Sequence, residues 1–365
     1  MYRLLVSQPS LNSFDQFSSL AEEVWNSGIM THHGPKVQEL ESKLKSKWSI
    51  PNLALVTNGT VALEIGLKSL ELPKGSEIIT TAFTWIATPA SIAWSGYKPV
   101  FADIDPNTLN IDPSKIEDLI TENTSAIMAV HVFSNPCDVK EIRRIADKHN
   151  LKVIYDGAHS VGVRYKGQDL SQYGDVTTHS YHATKIYNTG EGGSIITPNP
   201  TRAKLIERLR FFGHDDTKNI VNEGTNGKMH EISACIGLAN LPMLDKTINH
   251  RRELTEGYQK NLSVTDKVRF QSFNKESYNY SYMPIIFDSE DSCIKVFESL
   301  KEIGVLARRY FYPSMDSIDR FKSSNYCHVS RDIASRILCL PCHDSVTHND
   351  VIDISNKILE TLRNI

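Results

Sequence analysis

Leu53-Ala54-Leu55-Val56-Thr57-Asn58-Gly59-Thr60-Val61-Ala62-Leu63-Glu64-Ile65-Gly66-Leu67-Lys68-Ser69-Leu70 reads as a buried strand that turns straight into a helix. Leu53 to Thr57 is a short apolar run of strand length, whereas Val61 to Leu70 carries apolar residues at helical spacing. Between them, Thr57-Asn58-Gly59-Thr60 leaves backbone N–H groups unpaired at the first turn of the helix, with a hydroxyl alongside. A phosphate could sit there. Asn-Gly-Thr is also good turn chemistry, so a plain capping turn stands beside the phosphate reading for this stretch alone.

Outward from this unit the alternation continues from about residue 50 to 200. Glu77 to Thr81, Pro99 to Ala102, Ala126 to Val130 and Lys152 to Tyr155 read as strands, and Val139 to His149 reads as a helix capped by Asp138. Such alternation predicts an α/β fold with a mostly parallel central sheet and crossover helices. Ahead of it, Phe14, Phe17, Leu20, Ala21, Val24 and Trp25 recur at helical spacing, as do Val37, Leu40, Leu44 and Trp48, and the aromatics among them are expected in the core rather than in a site. The pattern changes near residue 245. Residues 1–244 are therefore read as an N-terminal arm with a large ligand-binding domain, and 245–365 as a smaller C-terminal α+β domain.

Composition narrows the function. With 365 residues, 40% hydrophobic and 23% charged, the chain has the makeup of a globular protein, and its formal charge of -3 gives no electrostatic footprint for nucleic acid. The residues up to Pro9 lack the apolar core of a signal peptide and no stretch approaches bilayer length, so the expectation is a cytoplasmic protein with no membrane partner. Cysteines 137, 235, 293, 327, 339 and 342 are scattered, which suits reduced thiols. Cys339-Leu340-Pro341-Cys342-His343 matches the pattern of covalent haem attachment, but it follows what reads as the end of a packed element, and buried cysteines are the simpler reading.

In an open parallel sheet, ligands bind beyond the carboxyl ends of the strands. Asp156 follows the strand Lys152 to Tyr155 and leads into Gly157-Ala158-His159. A carboxylate there is costly unless a cation or donor meets it; a protonated pyridine nitrogen would, as would an N-cap or a structural ion pair. Lys185 sits in Ser180-Tyr181-His182-Ala183-Thr184-Lys185-Ile186-Tyr187-Asn188-Thr189-Gly190-Glu191-Gly192-Gly193, just before the strand-like run Ser194 to Thr197. Apolar neighbours favour its neutral amine, the species that condenses with a carbonyl. An anion cradle at Gly59-Thr60, a carboxylate at Asp156 and an amine at Lys185 are three handles for one ligand, pyridoxal phosphate, with Trp85 as a candidate face for its ring. From a different class, Asp156, His159, His179 and His182 are residue types that suit zinc in a hydrolase. His179 and His182 are read on one strand with odd separation, so their side chains should point to opposite faces, and no metal site is expected.

Thr57-Asn58-Gly59-Thr60, Asp156-Gly157-Ala158-His159, Ser180 to Lys185 with Glu191-Gly192-Gly193, and Asn226-Gly227-Lys228-Met229 resemble, in order, the motifs of the DegT/DnrJ/StrS-type sugar aminotransferases. Gly34-Pro35 and Asp103-Ile104-Asp105-Pro106 extend the resemblance over nearly the whole chain, while Asn58 and Tyr181 stand where serine and phenylalanine are common. The resemblance implies the aspartate-aminotransferase fold (fold type I) and a homodimer with active sites at the subunit interface. It further implies that Lys185 forms the Schiff base, that Asp156 pairs with the pyridine nitrogen, and that His159 lies near the ring. Gly59, Thr60 and Ser180 would bind the phosphate, and Asn226 would reach the phosphate of the neighbouring subunit's cofactor. Members transfer an amino group, usually from L-glutamate, to a ketone on a nucleotide-linked sugar, in deoxyamino-sugar pathways such as those of O-antigen and lipopolysaccharide.

Ala307-Arg308-Arg309-Tyr310-Phe311-Tyr312-Pro313-Ser314 resembles the segment of members that aminate C4 of dTDP-4-dehydro-6-deoxyglucose, so Arg308, Arg309 and Tyr310 are expected to bind substrate. Paired arginines among aromatics suit a diphosphate. The nearest rival is a 3-ketosugar aminotransferase, and a cofactor-binding regulator without turnover is a further alternative. A related class that removes a sugar hydroxyl carries histidine in place of the lysine; Lys185 argues against it.

Overall fold

The computed structural model describes residues 2–321 and 325–365. In chain order its first part contains β1 (Leu4–Leu5), α1 (Phe14–Ser27), α2 (Pro35–Trp48), β2 (Leu53–Val56), α3 (Gly59–Lys68), β3 (Glu77–Thr81), α4 (Ala87–Trp94), β4 (Lys98–Ala102) and β5 (Thr124–Val130). There follow α5 (Val139–Lys148), β6 (Lys152–Asp156), β7 (Arg164–Tyr165), β8 (Gln168–Asp169), β9 (Val176–Ser180), β10 (Gly193–Ile196), α6 (Pro200–Leu209) and α7 (Glu231–Asn240).

Seven of these strands form one sheet in the order β2-β10-β9-β6-β5-β3-β4. The pairs from β9 through β4 are parallel, as the alternation predicts. β10 is antiparallel to both of its neighbours, because the Tyr181–Gly192 connection contains no crossover helix and simply returns the chain beside β9. Helices cover both faces. On one, Ala62, Leu63 and Ile65 of α3 pack with Ile78, Ile154 and Val176; on the other, Ile142 and Ile145 of α5 pack with Ile127, Val153 and Tyr155.

Register brings the chemistry to one edge of this sheet. Asp156 closes β6 opposite Val130 of β5 and Thr178 of β9, and Gly193 of β10 stands opposite both Ser180 and Val56. Asp156, expected just after its strand, is instead the last residue of that strand.

The second part contains α8 (Leu244–Leu262), β11 (Val268–Phe270), β12 (Met283–Phe287), α9 (Glu290–Glu302), β13 (Val305–Leu306), α10 (His328–Arg336), β14 (Ile337–Leu340) and α11 (His348–Arg363). Its antiparallel sheet β11-β12-β14 packs Ile285 and Leu338 against Leu254, Val296, Ile354 and Ile358 of three helices. The first residues join this part rather than the larger one: β1 pairs with β13, Leu4 opposite Val305, and Leu4 is buried in the same core. A two-residue strand is too short to carry a readable alternation, so this pairing is not visible in the sequence.

One expectation about the core is overturned. Val37, Leu40, Leu44 and Trp48 of α2 are buried, but on α1 only Val24 is, while Phe14 and Trp25 are 75% and 77% exposed in the single chain. All six cysteines are free and buried, Cys339 within β14. No helix among the described residues is long and apolar enough to cross a membrane.

Candidate active site

A cavity of about 540 Å³ opens at the carboxyl edge of the large sheet. Its anionic end is made by α3. Asn58, with extended backbone, caps that helix, its Oδ1 accepting from the Val61 N–H at 2.9 Å. The N–H groups of Gly59 and Thr60 lie in the first helical turn, where no intrahelical acceptor exists and the helix dipole favours an anion. A Cβ on Gly59 would fall 2.7 Å from the Ser180 Cβ, so only glycine lets the turn lie against the Ser180 hydroxyl. Gly193 is constrained in the same way: a Cβ there would lie 2.7 Å from the carbonyl oxygen of Asn58. Bare donors, a hydroxyl and a helix N-terminus fit a phosphate group.

Asp156 is buried at the back of the cavity. Its Oδ2 accepts from the Thr88 hydroxyl at 2.8 Å and its Oδ1 from the Ala158 N–H at 3.1 Å. Burial pushes its pKa up; those two hydrogen bonds and the nearby Lys185 oppose the rise without cancelling it. A carboxylate so placed lacks a full cationic partner, and a protonated ring nitrogen would supply one.

Lys185 enters from the β9–β10 connection, and its Nζ donates to the Tyr282 hydroxyl at 3.2 Å. Burial lowers the pKa of its ammonium, with Asp156 and Tyr310 pulling the other way. The neutral amine is thereby made more accessible. His159 is buried beside it, and its Nδ1 accepts the Phe133 N–H at 3.2 Å, so the neutral ring carries its proton on Nε2. Burial, and then the positive Lys185, hold this histidine well below its usual pKa.

Aromatic rings and one arginine form the mouth. The Arg308 guanidinium lies 4.8 Å from the Tyr310 ring centre and 5.7 Å from that of Trp85, and the two rings meet edge to face. Arg309 does not join them. It donates to Glu290 at 2.7 Å and to the Ser335 carbonyl, and it stacks on Tyr312, so its expected place in the substrate site is corrected to a structural one. Consecutive residues of an extended chain point to opposite sides.

Asn226 is exposed on the loop after α6, paired with Lys228 and outside the lining of its own chain's cavity. The zinc alternative loses its geometry. His179 is buried in β9 with its ring edge-on to Trp48, whereas His182 lies beyond the strand, exposed and bonded to Thr184, rather than on the strand as expected. No group of three or more metal-ligating side chains exists among the described residues.

Thr84 and Tyr282 line the cavity and Thr88 lies buried against Asp156, and none of the three was expected from the sequence. Thr84 and Thr88 follow β3 at a helical spacing, and the priority given to residues after strands could have found them. Tyr282 comes from the second part of the chain, and nothing local marks it.

A profile described as the DegT/DnrJ/EryC1/StrS aminotransferase family matches residues 14–359. A dTDP-4-amino-4,6-dideoxy-D-glucose transaminase of Shigella dysenteriae is 39% identical over 99% of both chains. A protein of the same description from Escherichia coli is 35% identical over 97% of both. Among solved structures, DesI in the presence of its TDP-sugar product superposes with a TM-score of 0.93 at 29% identity, over 99% of this chain and 93% of that one.

Proposed function

The chain belongs to the DegT/DnrJ/EryC1/StrS aminotransferase family, and from that premise we propose that it moves an amino group from L-glutamate to the C4 ketone of a nucleotide-linked 4-dehydro-6-deoxy sugar, such as dTDP-4-dehydro-6-deoxyglucose. Pyridoxal phosphate is the cofactor of this family. When bound, it carries the nitrogen being transferred and takes up the electrons freed when a Cα–H bond breaks.

The chain's own residues divide the remaining work. Gly59, Thr60 and Ser180 would hold the phosphate on bare N–H groups and a hydroxyl, and Asp156 would accept the hydrogen bond of the protonated ring nitrogen. Lys185, whose pKa is lowered by burial, would hold the cofactor through its aldehyde carbon with loss of water and, once displaced by the substrate amine, would carry the proton at the reacting carbon. His159 offers Nε2–H into the cavity, and Trp85 gives the ring a face. At the mouth, Arg308 with Tyr310 receives the diphosphate of the sugar nucleotide. The convergence of Lys185, Asp156 and the start of α3 on one cavity is the observation that carries this reading. C4 is favoured over C3 by the 4-amino-4,6-dideoxy-D-glucose in the description of the Shigella relative.

Two copies complete the enzyme in this account. Besides Phe14 and Trp25, Trp94 is 84% and Ile220 75% exposed, an amount of large apolar surface that a second chain would cover. Asn226 would then reach the phosphate in the partner's cavity. Buried, unpaired thiols suit a reducing cytoplasm.

Mixing the protein, pyridoxal phosphate and L-glutamate should bleach the cofactor's visible band and yield 2-oxoglutarate. Lys185→Ala should abolish both the borohydride-trappable attachment and this half-reaction, and retained turnover would overturn the role given to Lys185.

A further inference from the structure

Thr88 does something unusual for a threonine in a helix. Such residues commonly return their hydroxyl to the carbonyl one turn back, and Ser91 in the same helix donates to the Thr88 carbonyl at 2.9 Å. The Thr88 hydroxyl instead lies 2.8 Å from Asp156 Oδ2 and 2.8 Å from Thr84 Oγ1, with no exposed surface. An ionised carboxylate only accepts, so the single Thr88 hydrogen must point at Asp156. The Thr84 hydroxyl must then be the donor to Thr88. With Asp156 ionised, hydrogen count sets the direction along Thr84, Thr88 and Asp156, and the chain starts at a residue lining the cavity.

We propose that Thr88 is a positioning residue for Asp156: with Thr84 behind it, it fixes the orientation of the carboxylate and keeps it ionised, so that it can hold a proton on the cofactor's ring nitrogen. The inference rests on the reading of Asp156 as the partner of that nitrogen. Only the Ala158 N–H would remain on the carboxylate without Thr88, in a site where burial already favours the neutral acid. A neutral Asp156 gives up the charge that draws the proton to the ring.

The test uses the full-length protein loaded with pyridoxal phosphate labelled with ¹⁵N in the ring, reading the nitrogen chemical shift and the cofactor dissociation constant. Wild type and Thr88→Ser should show a protonated ring nitrogen. In Thr88→Val the shift should move toward that of unprotonated pyridine, and affinity should fall about tenfold or more, the usual size for a hydrogen bond to a charged group. Thr88→Ala makes the same comparison if valine prevents folding. Thr84→Val, which leaves the bond to Asp156 in place, should change both readings less. A folded Thr88→Val or Thr88→Ala protein with the wild-type shift and an affinity within about twofold would overturn the inference about Thr88 and leave Asp156 untouched. A wild-type protein whose ring nitrogen is unprotonated would overturn the reading of Asp156, and the role of Thr88 with it.

Discussion

At the scale of single residues, the site works by opposing burial against charge. Burial pushes the Lys185 ammonium toward the neutral amine and Asp156 toward the neutral acid, and each moderates the other. The two adjacent arginines have separate tasks. If Arg308 receives the diphosphate as proposed, Arg308→Ala should raise KM for the sugar nucleotide about tenfold or more with a smaller change in kcat, because the lost charge lies remote from the reacting carbon. Arg309→Ala should leave KM near wild type and lower the melting temperature, since that side chain secures Glu290 and the end of α10. Steady-state kinetics beside thermal melts would check both. Asp156 and Gly59-Thr60 were legible in the sequence because strand ends in a parallel sheet predict where ligands sit, and Lys185 because a lysine among aromatic and apolar residues in a glycine-rich segment favours a neutral amine. Which of Arg308 and Arg309 faces the cavity was not, since that depends on the phase of an extended segment set by its bridge to Cys339. Tyr282 was hidden for a related reason: only the packing of the two sheets brings it to Lys185.

At the scale of elements, a buried ion pair anchors the phosphate end of the cavity. Glu41 of α2 accepts from Arg210 at 2.6 Å, from the Leu55 N–H of β2 at 2.8 Å, and bonds His33 at 2.9 Å. The Arg210 carbonyl in turn holds the Gly227 N–H, and the Gly227 carbonyl holds the Thr57 N–H, so one network joins α2, β2, the cradle and the Asn226 loop. Burial alone would raise the Glu41 pKa, but His33, Arg210 and the Leu55 N–H outweigh it and lower it to about 2. A carboxylate depressed in the folded state contributes stability that is present above its ordinary value of 4.5 and is lost as pH falls through about 2. Glu41→Gln should cost about 3–5 kcal/mol at neutral pH, because it leaves Arg210 buried without its partner. Urea melts across pH should show the wild type losing more of its stability than the variant as pH falls below 4.5. The strands and helices around this network followed from hydrophobic period, but the antiparallel setting of β10 did not, because direction depends on how the connection routes and not on the strand's own residues.

At the scale of the whole molecule, the exposed aromatics of α1 mark the limit of reading a single chain. Helical spacing of Phe14 and Trp25 predicts a helix but does not say what covers its apolar side, and within one chain both remain open to solvent. A second copy over these residues and the Asn226 loop would make each site from two chains. Lys185→Ala and Asn226→Ala proteins, each impaired alone, should recover activity when mixed and allowed to exchange subunits, since one site of each mixed dimer then has both residues intact. Failure to recover, with exchange shown by mass spectrometry, would place Asn226 outside the partner's site.

Transfer of nitrogen to C4 of a sugar nucleotide can be followed with labelled nitrogen. The protein with pyridoxal phosphate and ¹⁵N-glutamate should be given dTDP-4-dehydro-6-deoxyglucose and, separately, its 3-keto isomer, and the products examined by NMR. ¹⁵N should be bonded to C4 in the first reaction, with little turnover in the second; label found only at C3, or on neither sugar, would rule out amination at C4.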